Sequence, residues 1–223
     1  GAMGHTQFMP SSYWQYAVDG DGDGQINLWE SEKDALASGA NFLSALGWKR
    51  GERWGREVSL LDSFPYLEAG LNNPKPLSVW TELGVKRADG SLLPSADIEG
   101  AVLVPSGHEG PAFLAYDNFS VIMKWNRSES YAISVGHLAD RITGAGSLLN
   151  PPSLDQVALN RQQLMELQQS LIGRGFEPGE PDGVMGPATR AALSEFQEQA
   201  GLIADGFPNE QTLTNLGLNL GET

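Results

Sequence analysis

Apolar positions along the chain recur with helical spacing in some stretches and crowd together in others. Residues 11–18 predict a short helix that ends at an acidic, glycine-rich loop. Ala35, Leu36, Gly39, Phe42, Leu43 and Leu46 then fall on one side of a helix, and Gly47 is placed to cap its C-terminus. Residues 51–94 are rich in Gly, Pro and Trp without a clear period, which predicts loops and short helices. Residues 99–124 predict strands. They contain the runs Ala101-Val102-Leu103-Val104 and Ala112-Phe113-Leu114-Ala115, with turn residues Ser106-Gly107 and Gly110-Pro111 between them. A further helix is expected after Ser128 as N-cap, with Tyr131, Ala132, Val135, Leu138 and Ile142 on one face.

Regular patterning then stops. Residues 144–153 read Gly-Ala-Gly-Ser-Leu-Leu-Asn-Pro-Pro-Ser, and the paired prolines block helix and strand alike. This divides the chain into a first unit over 1–147, a linker over 148–156 and a second unit over 157–219. The second unit opens with a helix carrying Leu164, Leu167, Leu171 and Ile172 on one face. An internal repeat follows. Asp182-Gly183 precedes Thr189 and Leu193, and Asp205-Gly206 precedes Thr212, Leu213 and Leu216. Each half reads as a turn feeding a helix, giving a three-helix module of about 60 residues, within the size that folds alone.

Composition narrows the chemistry. A net charge of −14 over 223 residues argues against a nucleic-acid partner, which needs a basic surface. Cysteine is absent, so neither a disulfide framework nor a thiolate metal site is available. No run of 18 apolar residues is present to form a membrane span.

The most specific chemical pattern is Asp19-Gly20-Asp21-Gly22-Asp23-Gly24-Gln25-Ile26-Asn27-Leu28-Trp29-Glu30. It fits a twelve-residue EF-hand loop. Asp19, Asp21 and Asp23 hold positions 1, 3 and 5, and Gly24 allows the sharp turn. Gln25 offers its backbone carbonyl, Ile26 the apolar anchor, and Glu30 a bidentate carboxylate. A hard divalent cation such as Ca2+ takes six to eight oxygens, and without it these carboxylates repel one another. A calcium-sensing role calls for paired loops and a methionine-rich groove. One loop and five scattered methionines favour a structural Ca2+.

Gly1-Ala2-Met3-Gly4-His5-Thr6-Gln7-Phe8-Met9-Pro10-Ser11-Ser12-Tyr13 resembles a signature of the lytic murein transglycosylases of the MltB type, a family that also carries one EF-hand loop just after this motif. Asp117-Asn118-Phe119, the run from Trp125 to Ala132 and the run from Val135 to Arg141 look like its second signature. Leu167-Gln168, Asp182-Gly183, Gly186-Pro187, Thr189, Phe196-Gln197, Asp205-Gly206 and Thr212-Leu213 resemble a three-helix peptidoglycan-binding domain. The resemblance implies a mainly α (α+β) protein: the C-terminal portion of a lysozyme-like catalytic domain with a small β-region, then the binding module. It implies cleavage of the β-1,4 bond between N-acetylmuramic acid and N-acetylglucosamine, leaving a 1,6-anhydro end through attack of the muramic C6 hydroxyl on C1. It implies partners in glycan strands and stem peptides, and a place in the periplasm of a Gram-negative bacterium, associated with the outer membrane through an N-terminal portion.

The family's single acid/base Glu lies upstream of the Gly-Ala-Met-Gly motif, so the acid is expected ahead of Gly1 and the chain alone is expected to be inactive. By resemblance, Gln7, Phe42, Trp125, Asn126 and Tyr131 line the glycan cleft; Phe42 and Trp125 stand where the family has Tyr. The stem-peptide groove of the module is expected beside Asp182, Gly183, Asp205 and Gly206. Three other readings stay open: a non-catalytic wall-binding module, a calcium sensor, and a hydrolytic muramidase on the same fold.

Overall fold

The structure is a computed structural model that describes residues 1–153 and 159–218. The expected linker residues 154–156 and the expected module ends 157–158 and 219 lie outside the described residues. In chain order the elements are α1 (Pro10–Tyr16), α2 (Glu32–Ala45), β1 (Gly55–Ser59), β2 (Lys75–Pro76), α3 (Leu77–Glu82), β3 (Lys86–Arg87), β4 (Glu99–Leu103) and β5 (Ala112–Ala115). They continue with α4 (Asp117–Trp125), α5 (Glu129–Ile142), α6 (Arg161–Gly173), α7 (Pro187–Gln199) and α8 (Glu210–Asn215). Two compact units form: Gly1–Trp54 with Asp117–His137, and Gly55–Tyr116 with Leu138–Thr223.

In the first unit, α2 starts and stops as its sequence dictates. The Ser31 side chain accepts the Asp34 N–H at the N-terminus. At the other end, Gly47 N–H donates to Ser44 O and Trp48 N–H to Leu43 O, the paired bonds of a Schellman stop. Residues 117–125 are the helix α4, where strand was expected. The run Phe-Ser-Val-Ile-Met is as apolar as a buried strand, but only Asn118, Phe119, Val121 and Ile122 are buried, which is one helical face. The buried Asn118 ties α4 to the chain before Trp54: its Oδ1 accepts the Lys49 N–H, and its Nδ2 donates to the carbonyls of Lys49 and Glu52.

The helix α5 is capped by Ser128, whose Oγ accepts the Tyr131 N–H. Its inward face differs from the expected one. Ala132, Ile133 and Gly136 are buried, while Tyr131, Val135, Leu138 and Ile142 are exposed. Small residues win that face because the Trp54 ring lies so close to Gly136 that an added Cβ would stand 2.3 Å from it.

The second unit holds an antiparallel five-stranded sheet in the order β2-β4-β5-β1-β3. Its register pairs Val58 with Ala112, Gly55 with Ala115, and Leu103 with Phe113. The strand β1 lies where loops were expected, because Gly-Arg-Glu-Val-Ser has no apolar alternation. Its polar side chains find specific partners instead: the Arg56 guanidinium lies over the Tyr116 ring at 5.6 Å, and Glu57 accepts two backbone N–H groups. Phe64, Leu77, Trp80, Val102 and Leu114 fill the core beside the sheet. The fully buried Trp80 keeps its indole satisfied by donating to Gly100 O at 2.7 Å.

Within this unit, α6, α7 and α8 close over Leu167, Leu171, Leu193, Phe196, Leu213 and Leu216. The sequence repeat is also a repeat of hydrogen bonds. Gln168 Nε2 donates to Asp182 Oδ1, Val184 O and Thr189 Oγ1, and its Oε1 accepts Gly183 N–H. Gln197 does the same with Asp205 Oδ1, Phe207 O, Thr212 Oγ1 and Gly206 N–H. Gly183 and Gly206 take φ of 73° and 68°. A Cβ would reach 2.5 Å from Arg161 O in one turn and 2.9 Å from Arg190 O in the other, so only glycine fits either turn.

Candidate glycan-facing site, calcium loop and module turns

The first eleven residues fold back on themselves. Met3 and Phe8 exchange backbone hydrogen bonds. Gly4 takes a φ of 62°, and its backbone lies so near Leu28 that a Cβ would stand 2.5 Å from Leu28 O. His5 N–H donates to that same carbonyl, fixing the loop to the end of the acidic segment. Among the described residues Gln7 is the single non-glycine residue with positive φ, at 52°. A long side chain rarely accepts that conformation, and such outliers gather at functional sites. Its exposed amide Nε2 donates to Gly4 O at 2.7 Å.

Behind this loop sits a cluster of rings. Phe8 is buried and meets Phe42 at 5.2 Å and Trp125 at 5.5 Å. Phe42 and Trp125 meet edge-on at 5.1 Å, and Tyr16 reaches Phe42 at 4.8 Å. Gly39, one turn before Phe42 on α2, leaves room for the Trp125 ring. Two residues expected at the cleft, Phe42 and Trp125, are therefore in contact, each half-buried, and Gln7 stands next to Phe8 in the chain. Asn126 is exposed and turns its Oδ1 to the Ser128 N–H. Tyr131 is exposed on α5. Phe8 and Tyr16 were not singled out from the sequence, although both lie within or beside the quoted signature.

In the acidic loop, Asp19 accepts the N–H groups of Gly24 and Gly22, which together hold its carboxyl below the usual carboxylate range. Asp21 accepts from Asp23 N–H and from the Ser31 hydroxyl. Asp23 accepts Gln25 N–H, and Glu30 accepts from the Asn27 side chain at 3.4 Å. Asp34, buried at the start of α2, accepts Asn27 N–H and Gly20 N–H, and these bonds push its carboxyl down. Asp19, Asp21 and Asp34 each bring a carboxylate oxygen within 4.8 Å of the other two. Three hard oxygen donors that close suit a divalent cation. Asp34 falls four residues past the twelve-residue pattern, which is why reading the loop by position passed over it.

In the module, Asp182 and Asp205 both accept from a buried Gln, and Gly183 and Gly206 both donate to one. The two turns differ in one respect. The second oxygen of Asp205 accepts the His108 N–H at 2.9 Å and lies 2.6 Å from the His108 ring Nδ1. The Asp182 carboxyl is held below its usual range by the Gln168 amide and the Val184 N–H, and its second oxygen has no partner among the described residues.

The sequence profile of the Transglycosylase SLT domain family matches residues 1–140. The chain belongs to that family. Residues 160–216 match the peptidoglycan binding domain family. SltB3 from Pseudomonas aeruginosa, solved in complex with NAG-anhNAM-pentapeptide, is similar over 97% of this chain and 58% of its own, at 46% identity and a TM-score of 0.92. The Escherichia coli lytic transglycosylase SLT35, solved in complex with calcium, is similar over 64% of this chain and 44% of its own, at 33% identity and a TM-score of 0.53. The membrane-bound lytic murein transglycosylase B of Escherichia coli strain K12 is 34% identical over 154 residues. The chain spans 38% of the length of that relative. The fold is accordingly the lysozyme-like SLT fold, with a small antiparallel sheet and a helical peptidoglycan-binding module at the C-terminal end. No helix among the described residues is long and apolar enough to cross a membrane.

Proposed function

We propose that this chain forms the glycan-holding and wall-binding part of a lytic transglycosylase that cuts the MurNAc-GlcNAc β-1,4 bond of peptidoglycan and leaves 1,6-anhydroMurNAc ends. The observation that carries the reading is the likeness to SltB3 across 97% of the chain, because that relative was captured with an anhydro-sugar ligand and an anhydro end is what this reaction leaves. The division into a catalytic portion over 1–147, a linker over 148–156 and a module over 157–219 is supported by the two family matches, 1–140 and 160–216.

In this reading the loop of Gln7 and the rings of Phe42 and Trp125 present a polar amide and apolar faces to successive sugars, with Asn126 and Tyr131 at the rim. An amide both donates and accepts, which suits an N-acetyl group. The acid/base Glu belongs to the part of the family's domain that precedes the Gly-Ala-Met-Gly motif. It must stay protonated near neutral pH, which an apolar pocket achieves by raising its pKa. A structural Ca2+ is held by Asp19, Asp21, Asp23, the Gln25 carbonyl and Glu30, with Asp34 close enough to join them. When bound, it offsets the mutual repulsion of these carboxylates and braces the segment that ends at Leu28, to which His5 is bonded. The turns at Asp182-Gly183 and Asp205-Gly206 frame the stem-peptide groove. The cellular place is the periplasm of a Gram-negative bacterium, in association with the outer membrane.

Digestion of purified peptidoglycan tests the reading, with calcium present, using this chain and a form extended at its N-terminus. Anhydro-muropeptides released by the extended form alone are expected. Reducing ends would make the enzyme a muramidase. Turnover by this chain alone would move the acid into it. Intact binding with no products from either form would leave a wall-binding module.

A further inference from the structure

The indole of Trp14 is 90% exposed, more than any other large apolar side chain among the described residues. It meets no other ring there, and its Nε1–H has no partner among them. Leaving so large an apolar ring in water forgoes the burial that most Trp side chains gain. The helix α1 holds it in that position. Tyr13 and Tyr16 face inward: the Tyr13 hydroxyl donates to Ile26 O at 3.1 Å, its ring lies 6.0 Å from Trp29, and the Tyr16 ring lies 4.8 Å from Phe42. The Asn41 amide donates to Tyr16 O at 2.9 Å. Successive helical residues turn by about 100°, so with Tyr13 and Tyr16 fixed inward Trp14 faces solvent. The platform is preformed, because α1 starts at Pro10 and both its tyrosines are anchored.

The surroundings of the ring select its ligand. Residues 6–18 hold no charged side chain, in a chain of net charge −14. Exposed Ser11 and Gln15 flank Trp14, and exposed Met9 and Pro10 lead back to Gln7. Three residues of extended chain and one helical turn separate Gln7 from Trp14, so their Cα atoms lie at most about 17 Å apart. A membrane surface favours Lys and Arg beside such a ring, and a protein partner favours a continuous apolar patch. A neutral sugar needs what is present: a flat apolar face for its C–H groups, with hydroxyl and amide groups at the edge for its own.

We infer that Trp14 is a stacking platform for a sugar of the glycan strand, a subsite beyond those at Gln7, Phe42 and Trp125. This extends the glycan reading proposed above and depends on it. The strand leaves the Gln7 loop along the charge-free face of α1 and lays one pyranose on the indole. Such a subsite adds affinity only for glycans long enough to reach it, and so favours long strands over short fragments.

The test is calorimetric titration of this 223-residue chain and of Trp14→Ala with peptide-free GlcNAc-MurNAc glycans of two lengths, disaccharide and octasaccharide. Ala keeps an exposed helix position helical. The variant is expected to bind the octasaccharide about two- to tenfold more weakly, as befits loss of one stacking contact, and the disaccharide unchanged. Trp14→Tyr is expected to restore most of the loss. Octasaccharide affinity unaffected by Trp14→Ala, or both lengths weakened equally, overturns the inference. A ring already shielded from acrylamide in the form extended at its N-terminus, read as the difference from Trp14→Phe without glycan, overturns it too, since the protein itself then covers the platform. Failure of the unaltered chain to bind either length removes the glycan-holding reading itself, whereas octasaccharide binding indifferent to Trp14 keeps that reading and removes only the subsite.

Discussion

The paired glutamines of the module give the sharpest quantitative expectation. Gln197 is fully buried and makes four hydrogen bonds. In Gln197→Ala, Phe207 O keeps the Asn209 N–H, and Asp205 keeps the Phe207 N–H and His108. Gly206 N–H and the Thr212 hydroxyl lose the one partner each has among the described residues. Stranding a buried polar group costs about 1–3 kcal/mol, so the two together cost about 2–6 kcal/mol. At ~0.05–0.15 kcal/mol per residue, a module of about 60 residues holds only ~3–9 kcal/mol. The substitution is therefore expected to unfold the module in a large share of molecules. All six tryptophans and all five tyrosines precede residue 132, so intrinsic fluorescence does not see the event. Amide hydrogen exchange read by mass spectrometry does: peptides over 160–216 should lose most of their protection while those over 32–45 keep theirs. Gln168→Ala should behave alike, since Gly183 N–H is stranded in the same way. A loss below about 1 kcal/mol from Gln197→Ala would refute the claim that these networks hold the repeat together.

Calcium at one hundred times its dissociation constant should stabilise the first unit by about 2.7 kcal/mol, seen as a raised thermal midpoint that a chelator reverses and Asp19→Asn abolishes. The folded-state carboxyls of Asp19 and Asp34 lie below their ordinary value of 3.8. Their stabilising contribution is thus complete above about pH 4 and lost as pH falls through the folded values. Urea titrations followed by tryptophan fluorescence between pH 2 and 6, without calcium, should show that fall, and Asp34→Asn should flatten it. Gly136→Ala sets a methyl group 2.3 Å from the Trp54 ring and should cost about 1–3 kcal/mol in urea unfolding. His108→Ala removes the ring contact to Asp205 and leaves the backbone one; exchange should quicken over 104–110 and 203–207 but not over 164–172.

Much of the architecture was legible because it is written in local chemistry. The caps at Ser128 and Gly47 specify helix ends whatever surrounds them. The Asp-Gly repeat of the module also survives into three dimensions almost bond for bond, since each Gly must take a positive φ and each Asp must close its own turn. What failed was what tertiary contact decides. The strand β1 carries Arg56 and Glu57, and its polar surface is stabilised by an aromatic ring and two backbone amides distant in sequence. Nothing within five residues reveals them. The helix α4 is apolar enough to pass for a strand, and the packing of one face settled the matter. The inward face of α5 went to the small residues, because closeness to Trp54 outweighed side-chain hydrophobicity.

The candidate site divides along the same line. Phe42 and Trp125 lie 83 positions apart in the sequence and touch in the fold. Only resemblance to a family, not spacing, could nominate them together. Asp34 illustrates the converse. A positional template ends at Glu30, but a metal senses distance, and the helix that begins at Glu32 carries Asp34 back toward Asp19 and Asp21. The repeat itself hides an asymmetry that sequence cannot show. Asp182 and Asp205 are equivalent in pattern and in their bonds to Gln168 and Gln197. Yet the free oxygen of one faces outward, while that of the other is taken by His108, 97 residues away. Two turns alike in sequence thus have different surroundings: the Asp205 turn is bonded through His108 to the loop between β4 and β5, and the Asp182 turn makes no such bond among the described residues.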